Sequence, residues 1–370
     1  MIDPKKDPRR RCMPLAEWPD LDRAAWAVAV QQGNLLDGQG PAAHWRPKTQ
    51  RSVIAAYGRY LTFLERRGCL DRSAGLEARL TPDRLRAYIE DLRETIASVT
   101  LSGRITGLVE AFRVMTPGTG YPYLNRARRR LKVWARPIRN KRSRIVPIRS
   151  LLQLGRDLIE RAETETFARE LWCAGLYRDG VMILILSCRQ IRLDNLAGLR
   201  LEKDLVKFDG TYALALSETQ TKNHRPYERS LDAELTPFID RYLERYRPIL
   251  LGSSVSDRVW ISRRGIPMSG GSIYGKVCEH TKRAFGRSIS PHLFRDCAMT
   301  SLADENPEHV WLGMSLLHHA DPRIAEKHYN QALASDAVRQ YQSVLTKSRR
   351  TIAMRQIRKT RHRKMNGGAS

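Results

Sequence analysis

Apolar positions recur every three or four residues through most of the chain, and the period drops to two in one short stretch. Val53, Ile54, Tyr57, Leu61 and Leu64 fall on one stripe, the spacing of a helix that buries a single face. Gly68 follows as a stop. Thr81-Pro82 reads as an N-cap with proline at the first helical position, and Leu85, Tyr88, Ile89 and Leu92 give that helix its inner face. Ser98 opens a third helix with Leu101, Ile105, Leu108, Val109 and Phe112 inside, and Leu124, Leu131 and Trp134 mark a fourth. These four helices predict a small all-α domain over residues 46–135. Residues 1–45, with Arg9-Arg10-Arg11 and Gly38-Gln39-Gly40-Pro41, read as an N-terminal arm.

Beyond residue 149 the pattern predicts a helix over 149–162 and a long apolar one over 166–187. Strand-like segments follow at 204–208, 211–217 and 226–231. Asp209-Gly210 is a hairpin turn signal, and Thr221-Lys222-Asn223-His224 is a weaker second turn. The remainder is mainly helical, with helix starts at Ser290-Pro291 and Asp321-Pro322. The expected architecture is therefore mainly α with a small β-sheet: an α+β domain over 150–345, preceded by the all-α domain. No internal repeat is visible.

Charge sharpens this picture. Lys and Arg total 65 against 39 Asp and Glu, a net charge of +26, and the pI of about 10.3 lies in the range of nucleic-acid binders. The excess is concentrated. Residues 126–149 hold eleven Lys or Arg and no acid. Pro137 and Pro147 interrupt any helix there, so 136–149 reads as a basic linker that touches phosphates. A second basic run, 346–370, holds nine Lys or Arg, no acid, and ends in Gly367-Gly368-Ala369-Ser370; it reads as a flexible tail. Six cysteines, at 12, 69, 173, 188, 278 and 297, include no Cys-x-x-Cys pair and read as reduced thiols. The N-terminus shows no signal peptide. The longest apolar run, Val181 to Leu186, is six residues against ~18 for a bilayer span. The expectation is a soluble cytoplasmic, nucleoid-associated protein with no membrane partner.

Three segments could carry chemistry. Ser290-Pro291-His292-Leu293-Phe294-Arg295 places His292 and Arg295 at i and i+3 of a helix, joining a proton-transfer group to a phosphate clamp. Leu317-His318-His319-Ala320-Asp321-Pro322-Arg323 is followed by Tyr329. Ser187-Cys188-Arg189-Gln190-Ile191-Arg192 turns a corner after the most hydrophobic helix. Taken singly each is ordinary: a half-buried tyrosine, a surface arginine with its stem on the core. His280, His309 and His328 fit no familiar zinc spacing.

Taken in order, these segments resemble the tyrosine recombinase (phage integrase) family. Arg192-Leu193-Asp194-Asn195-Leu196-Ala197-Gly198-Leu199-Arg200 is similar to its first arginine box, and Pro291-His292-Leu293-Phe294-Arg295 to its second. His319-Ala320-Asp321-Pro322-Arg323 through Glu326-Lys327-His328-Tyr329 is similar to its last. The resemblance covers about residues 150 to 345, and the preceding helices resemble the family's core-binding domain more weakly. It implies a catalytic set: Arg192 and Arg295 as phosphate clamps, Lys222 as general acid, His292 assisting proton transfer, His319 bonding the scissile phosphate and Tyr329 as nucleophile. The implied activity is cleavage and rejoining of double-stranded DNA through a 3′-phosphotyrosyl intermediate, without metal, ATP or other cofactor. The implied partners are DNA and a homotetramer on paired sites, with accessory DNA-bending proteins as further candidates, in the service of a mobile element or chromosome resolution. The chain departs from the family pattern at Asn195, where Glu is frequent, at His318, where Gly is common, and at Ile324-Ala325, where Thr-Thr is frequent. His318 competes with His319, Arg189 with Arg192, and Lys203 and Lys207 with Lys222. Residues 332–345 could pack in cis or on a neighbouring subunit. Two relatives of the reading stay open, a type IB topoisomerase-like enzyme and a catalytically silent DNA-binding protein, beside a basic RNA-binding or ribosomal protein.

Overall fold

The computed structural model describes residues 7–34, 38–138, 141–165, 170–189, 191–221 and 225–305. The chain divides into two compact units, residues 1–140 and 141–370.

Among the described residues the regular elements of the first unit are helices: α1 (Asp20–Val30), α2 (Pro47–Arg66), α3 (Leu76–Arg79), α4 (Pro82–Thr95), α5 (Ser98–Met115) and α6 (Pro122–Trp134). The four helices expected from periodicity are α2, α4, α5 and α6. Proline opens α2, α4 and α6, where its missing N–H would have had no intrahelical acceptor. The Thr81 hydroxyl accepts from the Arg84 amide at 3.2 Å and caps α4. On α6, Leu124 and Leu131 turn inward, while Arg126, Arg129, Arg130 and Lys132 are exposed.

Here the structure corrects the expected arm. Met13, Trp18, Trp26, Ala29 and Ala42 are buried in the unit's core, and α1 lies within residues that the Pro and Gly content marked as loosely packed. Trp18 donates its indole N–H to the Met13 carbonyl at 3.1 Å and meets Tyr57 edge-on at 4.8 Å. Asp22 of α1 is fully buried and pairs with the buried Arg79 at 2.9 Å, while the Tyr57 hydroxyl donates to it at 2.9 Å. Burial pushes the Asp22 carboxyl up, and the Arg79 guanidinium and Tyr57 hydroxyl pull it back part of the way.

The second unit begins with α7 (Ile148–Thr164) and α8 (Glu170–Cys188), then the short α9 (Leu193–Gly198). An antiparallel sheet follows in the order β1-β2-β3: β1 (Leu205–Phe208), β2 (Thr211–Leu216) and β3 (Tyr227–Ser230). Asp209 and Gly210 have φ of 47° and 72°, as a two-residue hairpin turn of the favoured twist requires. Strand β2 alternates, burying Tyr212, Leu214 and Leu216. Then come α10 (Thr236–Arg241), a π-helical turn over Tyr242–Tyr246, α11 (Arg247–Leu251), α12 (Gly270–Phe285) and α13 (Leu293–Glu305). The expected linker belongs partly to this unit: Val146 is in its core, and the Arg144 guanidinium donates to the Ser288 carbonyl at 2.8 Å.

Helix α8 is the spine of the core, buried from Ala174 through most of its length. It is long and apolar enough to cross a membrane by length and composition, yet 72% of that window is buried, as the central helix of a globular core would be. It can lie close to α7 because both are glycine at the contact. A Cβ on Gly180 would come within 2.7 Å of Ile159, and one on Gly155 within 2.8 Å of Leu184. A buried polar group also ties α8 down. Arg178 donates to the Asp179 carboxylate at 2.6 and 3.0 Å and to the Ile261 carbonyl at 2.6 Å. His280 of α12 meets the other Asp179 oxygen at 2.9 Å. His280 is thus a core histidine, and no group of three or more metal-ligating side chains gathers among the described residues.

Candidate active site

The end of α8 delivers the first arginine. The Arg189 amide bonds the Ile185 carbonyl at 2.7 Å, the Ile191 amide bonds the Arg189 carbonyl at 2.7 Å, and the chain then enters α9. Arg192 is the N-cap residue of α9, in extended conformation. The buried Ile191 anchors the corner, so Arg192 stands on rigid support. Arg189, its rival in the sequence, is otherwise occupied: its guanidinium donates to the carbonyls of Ser230 and Cys188 at 3.0 Å each.

The second arginine comes from α13. Phe294 and Leu293 are buried beside Arg295 and lock the first turn of that helix. Arg192 and Arg295 line one hollow together with Ile191, Asn195, Leu216, Thr221, Arg225, Pro226 and Tyr227. None of these nine residues carries a carboxylate. Burial lowers the proton affinity of Arg295, the like charge of Arg192 lowers it further, and the Tyr227 phenol offsets part of this. Two like-charged guanidiniums lining one hollow make a site whose chemistry suits an anion.

The remaining expected residues distribute as follows. His292 is exposed, one residue before α13, in a tight turn where the Leu293 amide bonds the Ser290 carbonyl at 2.8 Å. It is not in the hollow's lining; the i, i+3 face expected of a helix begins only at Leu293. Lys222 lies outside the described residues, but Thr221 and Arg225 on its two sides both line the hollow. The Thr221 hydroxyl is buried, donates to the Arg225 carbonyl at 2.6 Å and accepts from the Arg225 amide at 3.1 Å. Lys207 is held by Asp240 at 2.8 Å, and neither it nor Lys203 lines the hollow. His318, His319, Tyr329, His309, His328 and the segment 332–345 lie outside the described residues. Sequence reasoning missed Tyr227 as a lining residue. Its signal was positional: strand β3 begins five residues after Lys222.

The second unit is thus an α+β fold that brings two arginines from distant segments to one hollow, with no carboxylate among the described lining residues; the first unit is helical and carries an exposed basic helix. No family model matches the chain. It is similar to curated proteins named tyrosine recombinase XerD. The one from Pseudomonas aeruginosa is 30% identical over 150 residues, covering 39% of this chain and 46% of that protein. The one from Chlorobaculum tepidum is 22% identical over 258 residues, covering 69% of this chain and 77% of that protein. The match therefore spans about half the length of the first relative and about three quarters of the second. Among solved structures, the XerH site-specific recombinase bound to a palindromic difH substrate, a post-cleavage complex, shares the fold with a TM-score of 0.55 at 14% identity. That match covers 88% of this chain and 99% of that one. A lambda integrase dimer bound to a COC′ core site gives a TM-score of 0.50 at 15% identity, over 78% of this chain and 90% of that one. The chain is thus similar in sequence to tyrosine recombinases over part of its length and shares the fold of the XerH recombinase and lambda integrase structures.

Proposed function

We propose that the protein is a site-specific DNA recombinase that cuts and rejoins double-stranded DNA through a covalent bond to Tyr329. The observation that carries this reading is the convergence of Arg192 and Arg295 on one hollow. A phosphodiester passing through a five-coordinate state gathers negative charge on its non-bridging oxygens. Two permanently charged, planar guanidiniums match that charge better than ammonium groups. The XerH and lambda integrase structures are complexes with DNA, which supports the same partner here.

In this mechanism the Tyr329 oxygen forms a bond to phosphorus as the P–O5′ bond breaks. Lys222 gives its proton to the leaving 5′ oxygen, His292 assists the nucleophile's proton transfer, and His319 bonds a phosphate oxygen. General acid catalysis of this kind contributes about 10²–10⁴-fold. A later 5′-hydroxyl attacks the phosphotyrosyl ester, restoring the phosphodiester and releasing the phenol. The ester conserves the bond energy, so rejoining consumes no nucleotide. A homotetramer on paired sites, the cytoplasm as location and accessory DNA-bending proteins belong to the same reading. The test is a duplex nicked just beyond the cut, which loses the short fragment and cannot rejoin. The wild-type chain should accumulate on it as a denaturation-resistant adduct. Binding without any adduct would leave a silent DNA-binding protein, and relaxation of supercoils at unrelated sequences would point to a topoisomerase.

Thr221 offers a narrower test. Its hydroxyl links the residues on either side of the 222–224 segment by serving both the amide and the carbonyl of Arg225. Valine at this position has similar volume but leaves both groups without that partner. Thr221→Val should cleave the nicked duplex about 10–100-fold more slowly, the usual result of small misplacement of a catalytic group. Thr221→Ser should stay near wild type in the same single-turnover assay.

A further inference from the structure

The hollow contains a phenol that none of the roles above uses. Tyr227, the first residue of β3, lines it beside Arg192, Arg295 and Thr221. Its backbone is fixed opposite Leu216 in the sheet. The Arg189 guanidinium holds the same strand through the Ser230 carbonyl at 3.0 Å, and Arg229 lies 5.9 Å over the Tyr227 ring. The ring packs, partly buried, against the unit's hydrophobic core. Burial raises its proton affinity more than the guanidiniums of Arg189, Arg229 and Arg295 lower it, so the hydroxyl is neutral and carries its proton at physiological pH. Toward a guanidinium a hydroxyl can only accept, since that group has no acceptor lone pair. An oxygen of a phosphate held between Arg192 and Arg295 is an acceptor for its proton.

We propose that Tyr227 donates a hydrogen bond to a non-bridging oxygen of the phosphate clamped by Arg192 and Arg295, as a third charge-stabilising group and not as a nucleophile. A donor belongs on the same side of the phosphate as the clamp, whereas a nucleophile must enter opposite the leaving oxygen. A phenol fixed on a sheet strand beside both guanidiniums meets the first requirement. The inference rests on the recombinase reading.

The test compares single-turnover cleavage of nicked duplexes carrying oxygen, or sulfur in either stereochemical position, at the scissile phosphate. Tyr227→Phe should bind duplex DNA within twofold of wild type and cleave the natural phosphate on the order of 10²-fold more slowly, the usual cost of removing one preorganised donor. Sulfur at the position that Tyr227 contacts should slow the wild type and leave Tyr227→Phe unaffected. Because the sulfur comparison is made within each protein, a general loss of stability does not imitate it. A Phe variant that cleaves at the wild-type rate, or that shows the same sulfur effects as the wild type, overturns the inference while leaving the recombinase reading intact. Peptide mapping that finds the DNA on Tyr227 overturns both, as does a wild-type chain that forms no adduct on the nicked duplex.

Discussion

Tyr329→Phe is expected to bind target duplex as the wild type does and to form no denaturation-resistant adduct on the nicked substrate. The substitution removes one oxygen and keeps the ring, so the folded chain and its basic surfaces are unchanged. On the proposed mechanism that oxygen is the atom that becomes esterified. Free tyrosine has a pKa of about 10, so the phenol needs a positive field to attack. On the proposed reading, Arg192 and Arg295, which line one hollow, supply such a field. The measurement is a denaturing gel of protein with end-labelled DNA, paired with a binding assay at the same salt. The prediction is sharper because another phenol, Tyr227, lines the hollow of Arg192 and Arg295 and stays present in the variant. An adduct that persists in Tyr329→Phe at wild-type yield would remove Tyr329 as nucleophile. Retained binding with complete loss of adduct separates a chemical defect from a folding defect.

Much of this arrangement was legible in the residues before any coordinates, for identifiable reasons. Helices α2, α4, α5 and α6 each bury one stripe, so their periodicity shows in the sequence. Strand β2 alternates and is joined to β1 by Asp209-Gly210, whose positive φ values are of the kind that this dipeptide tolerates. The choice of Arg192 over Arg189 followed from the residues after it, and the structure supplies the physical distinction: Arg189 is bonded to two carbonyls, whereas Arg192 faces the hollow. Helix α1 escaped notice because its buried side is only Asp22, Trp26 and Ala29, and the prolines and glycines that flank it ordinarily mark loops. Tyr227 escaped because an aromatic on a short strand looks the same whether it faces core, solvent or a ligand. The Arg178–Asp179–His280 group was not readable at all. Its members are 101 residues apart across the Asp179–His280 contact, and an Arg-Asp pair within an apolar helix gives no hint of its partner.

That group sets the second large effect. Asp179→Asn should lower the stability of the protein by about 3–5 kcal/mol, the range for breaking one side of a buried ion pair. The guanidinium of Arg178 is 3% exposed, so water cannot take over from the lost charge, and His280 loses its carboxylate as well. In urea this should bring the unfolding midpoint down by about 1–2 M, given typical denaturant slopes. The pH dependence identifies the cause. Burial alone would push the Asp179 carboxyl up, but Arg178 and His280 together hold it below the usual carboxylate range. The folded state therefore binds this proton less readily than the unfolded chain. Its stabilising contribution is complete above the ordinary aspartate pKa of about 4 and is lost as pH falls through and below that value. As pH falls from ~4 downward, wild type should lose stability more steeply than Asp179→Asn, whose neutral amide has no proton to gain there. Parallel curves for the two proteins would mean that Asp179 does not carry the charge assigned to it. The consequence reaches the active site because Asp179 sits on α8, and the end of α8 positions Arg192. Loosening the spine of the core should slow cleavage under conditions where the chain is still folded, while DNA binding through the exposed arginines of α6 persists.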